Sequence, residues 1–75
     1  MNGGMLWFDN NPKTTLCAKV EMAADYYRKK YGRDPNLCLV NPMMMGDKSI
    51  TQCKIQIRAF RPVLRNHLWI GVEEK

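Results

Sequence analysis

The apolar positions along this chain change their spacing from segment to segment, and each change marks an element. Leu16, Val20, Ala23, Tyr27 and Tyr31 recur at three- and four-residue steps, the spacing that lines one face of an α-helix. This predicts a helix from about Thr14 to Tyr31. Thr14 or Thr15 can cap its start with a hydroxyl oxygen. Asp25 precedes Lys29 in the favourable order for a helical ion pair. Arg28, Lys29 and Lys30 fall in the last turn, where cations complement the helix dipole. Gly32 then supplies a left-handed stop, and Pro35 prevents the helix from resuming.

Shorter runs on either side read as strands. Met5 to Phe8 is apolar and ends at Asp9-Asn10-Asn11-Pro12, where Asp and Asn bond to nearby backbone and proline resists a strand. Asn36 to Asn41 contains the continuous run Leu37-Cys38-Leu39-Val40, the signature of a central strand buried on both faces. From Ile50 to Arg61 the pattern alternates. Cys53, Ile55, Ile57 and Ala59 share one side, and Gln52, Lys54, Gln56, Arg58 and Phe60 the other. Asn66 to Glu73 is the last strand, with Leu68, Ile70 and Val72 opposed to His67, Trp69 and Gly71.

The order β-α-β-β-β predicts an α+β fold, a single domain over residues 1–75. One α-helix packs on a three- to four-stranded mixed sheet, and the ends 1–4 and 73–75 are expected to be flexible. A helical crossover would make the first two strands parallel neighbours, and the last two would then pair antiparallel. One helix covers only one face. The second face, with Lys54, Arg58, Phe60 and Trp69, should meet something else.

Composition narrows the function classes. With 45% apolar and 25% charged residues, the chain is too hydrophobic for a disordered segment. Its start lacks a basic region and a signal-length apolar core, and no run approaches the ~20 apolar residues of a membrane span. A cytoplasmic protein without membrane attachment is expected. Three cysteines at wide spacing make a poor disulfide framework, so Cys17, Cys38 and Cys53 are expected as buried thiols.

Catalytic and metal signatures are weak. Cys17, Cys38, Cys53 and His67 are separated by 20, 14 and 13 residues, unlike the close ligand pairs of zinc sites. The glycines are scattered, with none opening a helix as a phosphate loop requires. The carboxylates are spread over helix and loops. No enzyme, cofactor, metal or small-molecule substrate is indicated.

Two surface signals remain. Between Lys48 and Val72 the chain has five cations, Lys48, Lys54, Arg58, Arg61 and Arg65, and no acid, within a net charge of +5. Lys54, Arg58, Arg61 and Arg65 with Phe60 could meet phosphates and stack on bases, or meet an acidic partner. The cluster Arg28, Lys29, Lys30 and Arg33 reads mainly as a solvated helix end. Met43, Met44 and Met45 form an apolar loop tip, and methionine repacks easily against varied partners. With Trp69 they mark a protein-contact surface. The expected function is a non-enzymatic binding or accessory module acting through protein–protein association, self-association included. The alternative is a nucleic-acid-binding module using the basic strand face.

Overall fold

The computed structural model describes residues 2–73. Strand β1 (Asn2–Phe8) is followed by helix α1 (Leu16–Tyr31), β2 (Leu37–Val40), β3 (Gln56–Ala59) and β4 (His67–Val72). Two 3₁₀ turns, Pro42–Met44 and Lys48–Gln52, lie between β2 and β3. The architecture is the expected α+β fold, one helix on a four-stranded mixed sheet.

The helix ends where its capping chemistry dictates. Thr15 adopts extended backbone, and its Oγ1 accepts from Ala18 N at 3.2 Å. Gly32 takes φ 71°, and its N–H donates to the Arg28 carbonyl at 2.8 Å. The buried stripe Leu16, Val20, Ala23 and Tyr27 packs on Cys38, Val40, Leu68, Ile70 and Val72 of the sheet. This is the core.

The sheet order is β1-β4-β2-β3, which corrects the predicted neighbours. β4 lies between β1 and β2, antiparallel to both, and β3 joins β2 in parallel. The parallel pairing follows from the long excursion between β2 and β3, since such a pair needs a crossover of about a dozen residues. That excursion crosses the helix face, where Met44, Met45, Ile50, Cys53 and Ile55 pack on the core.

The predicted strand Ile50–Arg61 is shorter than its alternation suggested: only Gln56–Ala59 pair, and residues 50–52 finish a 3₁₀ turn that the residues just before them tie to helix α1. Asp47 Oδ2 accepts from Leu16 N at 2.9 Å, and Ser49 Oγ accepts from Cys17 N at 2.9 Å. Asp47 Oδ1 also accepts from Ser49 N at 2.8 Å and folds Lys48–Gln52 into a 3₁₀ turn. The free N–H groups of a helix start need acceptors, and this segment supplies two. β1 begins earlier than predicted, at Asn2. Of the ends expected to be flexible, Met1, Glu74 and Lys75 lie outside the described residues.

Candidate functional site

Both crossovers run over the helix face, so the opposite face of the sheet is left to one loop. That face carries Gly4, Leu6 and Phe8 from β1, and His67, Trp69 and Gly71 from β4. Leu37 and Leu39 of β2 and Gln56 and Arg58 of β3 complete it. The register puts Leu6 beside Trp69 and Trp69 beside Leu39. A small secondary core of Leu37, Leu39 and Val63, with Trp69 against it, forms on this side.

The loop 60–66 builds one wall of a groove on this face. Asn41 holds it in place, because its Nδ2 donates to the Val63 carbonyl at 2.9 Å while its Oδ1 accepts from Met43 N. Asn66 takes φ 65°, a left-handed conformation that asparagine tolerates. Its carbonyl accepts from Asp9 N at 2.9 Å and ties the loop to the end of β1. The groove encloses about 430 Å³ between Leu6, Leu39, Phe60, Pro62, Val63, Leu64, His67 and Trp69. Large apolar side chains stay wet around it: Leu6 is 66% exposed, Phe8 57%, Phe60 42% and Leu64 68%.

Trp69 organises this surface through a glycine. A Cβ at Gly4 would lie 2.6 Å from the indole Nε1 and closer still to Cζ2 and Cε2. Gly32, not Gly4, is the glycine with positive φ, so Gly4 serves here by leaving room for the indole. His67 stacks on Phe8 with ring centroids 4.9 Å apart. Its Nδ1 lies 3.0 Å from the Arg65 carbonyl, to which only a protonated Nδ1 can donate.

The predicted basic residues do not form one strand face. Lys54 falls before β3 and lines a separate cleft beside the helix with Glu21, Arg28 and Asp34. Arg58 does lie on the open face, where Glu73 binds both its terminal nitrogens at 2.8 and 3.2 Å. Gln56 Oε1 accepts a further bond from it. Arg61 and Arg65 are exposed on the groove-walling loop, with no ion-pair partner among the described residues. Phe60 lines the groove itself.

The methionine tip divides. Met43 is 74% exposed, whereas Met44 and Met45 pack against the core. All three cysteines are free thiols, with Cys17 and Cys38 buried and Cys53 half-buried. Burial pushes the Cys38 thiol up from 9.0 to about 12, with Cys53 adding to the rise. Cys17 rises to about 12 through burial first, then through Cys53 and Glu21. The thiols lie on the helix side of the sheet and His67 on the other. Among the described residues no group of three or more His, Cys, Asp or Glu is placed to hold a metal ion. No helix of the described residues is long and apolar enough to cross a membrane.

Leu6, Phe8 and Leu64 were missed as surface residues. Leu6 and Phe8 carry a period-two signal with Gly4, visible once β1 is an edge strand with one face uncovered. Leu64 is a large apolar residue stranded among Arg61, Pro62 and Arg65, and only its loop setting reveals that it faces water. A second groove, of about 530 Å³, lies between β1 and the flank of α1, lined by Trp7, Met22, Asp25, Tyr26 and others. There the Trp7 ring sits 5.4 Å from Tyr26, and its indole N–H is buried without an acceptor.

Compared with protein-family models, curated proteins and solved structures, the chain matches none.

Proposed function

We propose that this chain is a non-enzymatic binding module that acts through protein–protein association on the open face of its sheet. The observation that carries this reading is the set of exposed Leu6, Phe8, Phe60 and Leu64 around the Trp69 groove. Burying one such side chain fully contributes about 1.5–3 kcal/mol. Contiguous apolar surface of this kind marks interaction sites in small proteins. The pattern also has the form of an interface centre, with aromatic and aliphatic anchors ringed by the cations Arg61 and Arg65.

Met43 is exposed outside the lining of this groove and offers a separate apolar contact, while Met44 and Met45 pack on the core. The test is a photo-reactive amino acid at position 64, compared with the same residue at position 43, in cells that make the protein. Protein adducts from position 64 are expected. A position 64 probe that captures no protein contradicts the reading.

A second reading, nucleic-acid binding, is favoured by the rings of Phe8, Phe60, His67 and Trp69 beside two arginines, Arg61 and Arg65, that have no ion-pair partner among the described residues. Single-stranded nucleic acids use such stacking rings with flanking cations. The electrostatics weigh against it. Glu73 already neutralises Arg58, and Lys54 is turned to another cleft. Two remaining cations, Arg61 and Arg65, would give a shallow salt dependence of affinity. Oligonucleotide binding that falls steeply with salt and disappears in Arg61→Glu with Arg65→Glu would favour this reading over the first.

A further inference from the structure

We infer that the free edge of β1 is a self-association site, joining two copies of this chain through antiparallel β1–β1 pairing into one continuous sheet. The inference starts from the two sheet edges, which differ in protection. β3 has four residues, includes Arg58, follows Lys54 and precedes Arg61-Pro62. Short length, charge and proline are the devices that keep an edge from pairing. β1 has seven residues, Asn2-Gly-Gly-Met-Leu-Trp-Phe, with no charge and no proline, and among the described residues it pairs only with β4. Its pairing with β4 is irregular between Asn2 and Gly4, a bulge of the kind that blunts an edge, so the ladder left for a second strand is that of Gly4–Phe8.

The flank of that edge is apolar as well. Beside β1 on the helix side lies the groove of about 530 Å³. At its rim Met22 is 55% exposed and Tyr26 51%, both outside the core stripe of α1. A strand added to β1 sends alternate side chains to the two faces of the sheet, and on the helix side they arrive at this groove. The second copy is the occupant the surface fits. In an antiparallel pair about a two-fold axis, the same patch serves both partners and must complement itself. This patch combines apolar Trp7, Met22 and Tyr26 with Glu21 and with Asp25 and Lys29, which pair with each other at 3.1 Å, so it carries no strong single-sign charge that would repel a copy of itself. The unbalanced cations Arg61 and Arg65 lie on the loop beside the other groove.

The pairing deepens the proposed function and rests on it in one respect. Two copies joined edge to edge set their open faces side by side, which doubles the apolar docking surface. Because each copy would add only a strand edge and a helix flank, a small interface, the dimer should form in the range of about 1 μM to 1 mM.

The test is sedimentation velocity of the purified chain across that range, together with hydrogen exchange of the β1 amides. The expected result is a species of twice the chain mass of 8.8 kDa, with β1 amides that exchange more slowly as concentration rises. Met22→Glu, at an exposed position, should shift the equilibrium toward monomer at least tenfold and leave the fold intact by circular dichroism. A monomer at all concentrations overturns the inference, and the photo-reactive probe at position 64 then still decides the open-face reading. A dimer that Leu64→Asp dissociates and Met22→Glu does not overturns it as well, by moving the contact to the open face.

Discussion

Replacing Gly4 by alanine should dislodge Trp69, and the size of the effect can be worked from the geometry. The new Cβ would stand 2.6 Å from the indole Nε1 and nearer to two ring carbons. Non-bonded heavy atoms settle at about 3.5–4.0 Å, so the ring must retreat by about 1 Å or more. The ring cannot do so freely, because it packs against Leu37, Leu39 and Val63. Overpacking of this kind costs about 1–3 kcal/mol, while the loss of glycine's freedom in the unfolded chain returns about 0.4–1 kcal/mol. A net loss of about 1–2 kcal/mol follows. A chain this long has about 4–11 kcal/mol of stability at about 0.05–0.15 kcal/mol per residue, so the variant should still fold. The assay is urea denaturation of four proteins: wild type, Gly4→Ala, Trp69→Ala and the double variant. With the indole gone, Gly4→Ala should be neutral or slightly stabilising, which gives a coupling of about 1 kcal/mol or more. Independent sites add within about 0.3–0.5 kcal/mol. Equal effects of Gly4→Ala in both backgrounds would refute the close approach of Trp69 to Gly4.

Further outcomes follow from the rest of the fold. Asp47→Ala removes the acceptor for Leu16 and Ser49 backbone N–H groups and should cost about 1–2 kcal/mol by thermal or urea melts. Hydrogen bonds from Ser49 lead those from the Leu16 backbone in holding the Asp47 carboxyl below its ordinary 3.8. Its contribution is therefore present above that value and lost as pH falls, and the acid limb of stability should flatten in Asp47→Ala. Burial raises the Cys38 thiol from 9.0 to about 12, so the folded state holds this proton more tightly than the unfolded chain. Its contribution is present below pH 9.0 and declines toward about 12, and stability should fall less steeply over that window in Cys38→Ala than in wild type. A thiol reagent at neutral pH should accordingly modify Cys38 only on unfolding. Asn66→Gly should change stability by a few tenths of a kcal/mol, while Asn66→Val should cost about 1–2 kcal/mol at the left-handed position, measured by the same melts.

Most of the fold could be read along the chain, and the failures have a common physical origin. The helix was legible because one stripe, one cap and one left-handed glycine all agree on its limits. β2 was legible as a central strand because Leu37 to Val40 are apolar at every position, which only a doubly covered strand allows. Neighbour order was not legible. The insertion of β4 between β1 and β2 depends on long-range pairing, and periodicity within a strand carries no trace of its partner. The segment from Ile50 to Gln52 misled for a sharper reason. Its alternation suits a strand, but Asp47 and Ser49 just before it are drawn to the unsatisfied N–H groups of a helix some thirty residues earlier in the chain and set a 3₁₀ turn in its place.

The candidate surface was half legible. An uncovered face with Trp69, Phe60 and Arg58 follows from having one helix and a sheet. The basic strip did not survive as a unit, because Lys54 precedes the strand and Arg58 is bound by Glu73. The methionine triplet gave a mixed signal, since two of its three side chains are needed to close the helix face of a small core. Leu64 and Phe8 escaped notice because a lone apolar residue in a loop or at a strand end reads as core until the fold is known.

The central claim is that the Trp69 face is covered by another protein in the cell. Its most direct test is the size of the species that contains this chain in an extract of the cells that make it, compared with Phe60→Ser and Leu64→Asp. The account predicts that wild type elutes in an assembly larger than the chain or its dimer, and that both variants fall to the size of the free protein while keeping native circular dichroism. Wild type and variants eluting alike, whether free or assembled, would contradict it.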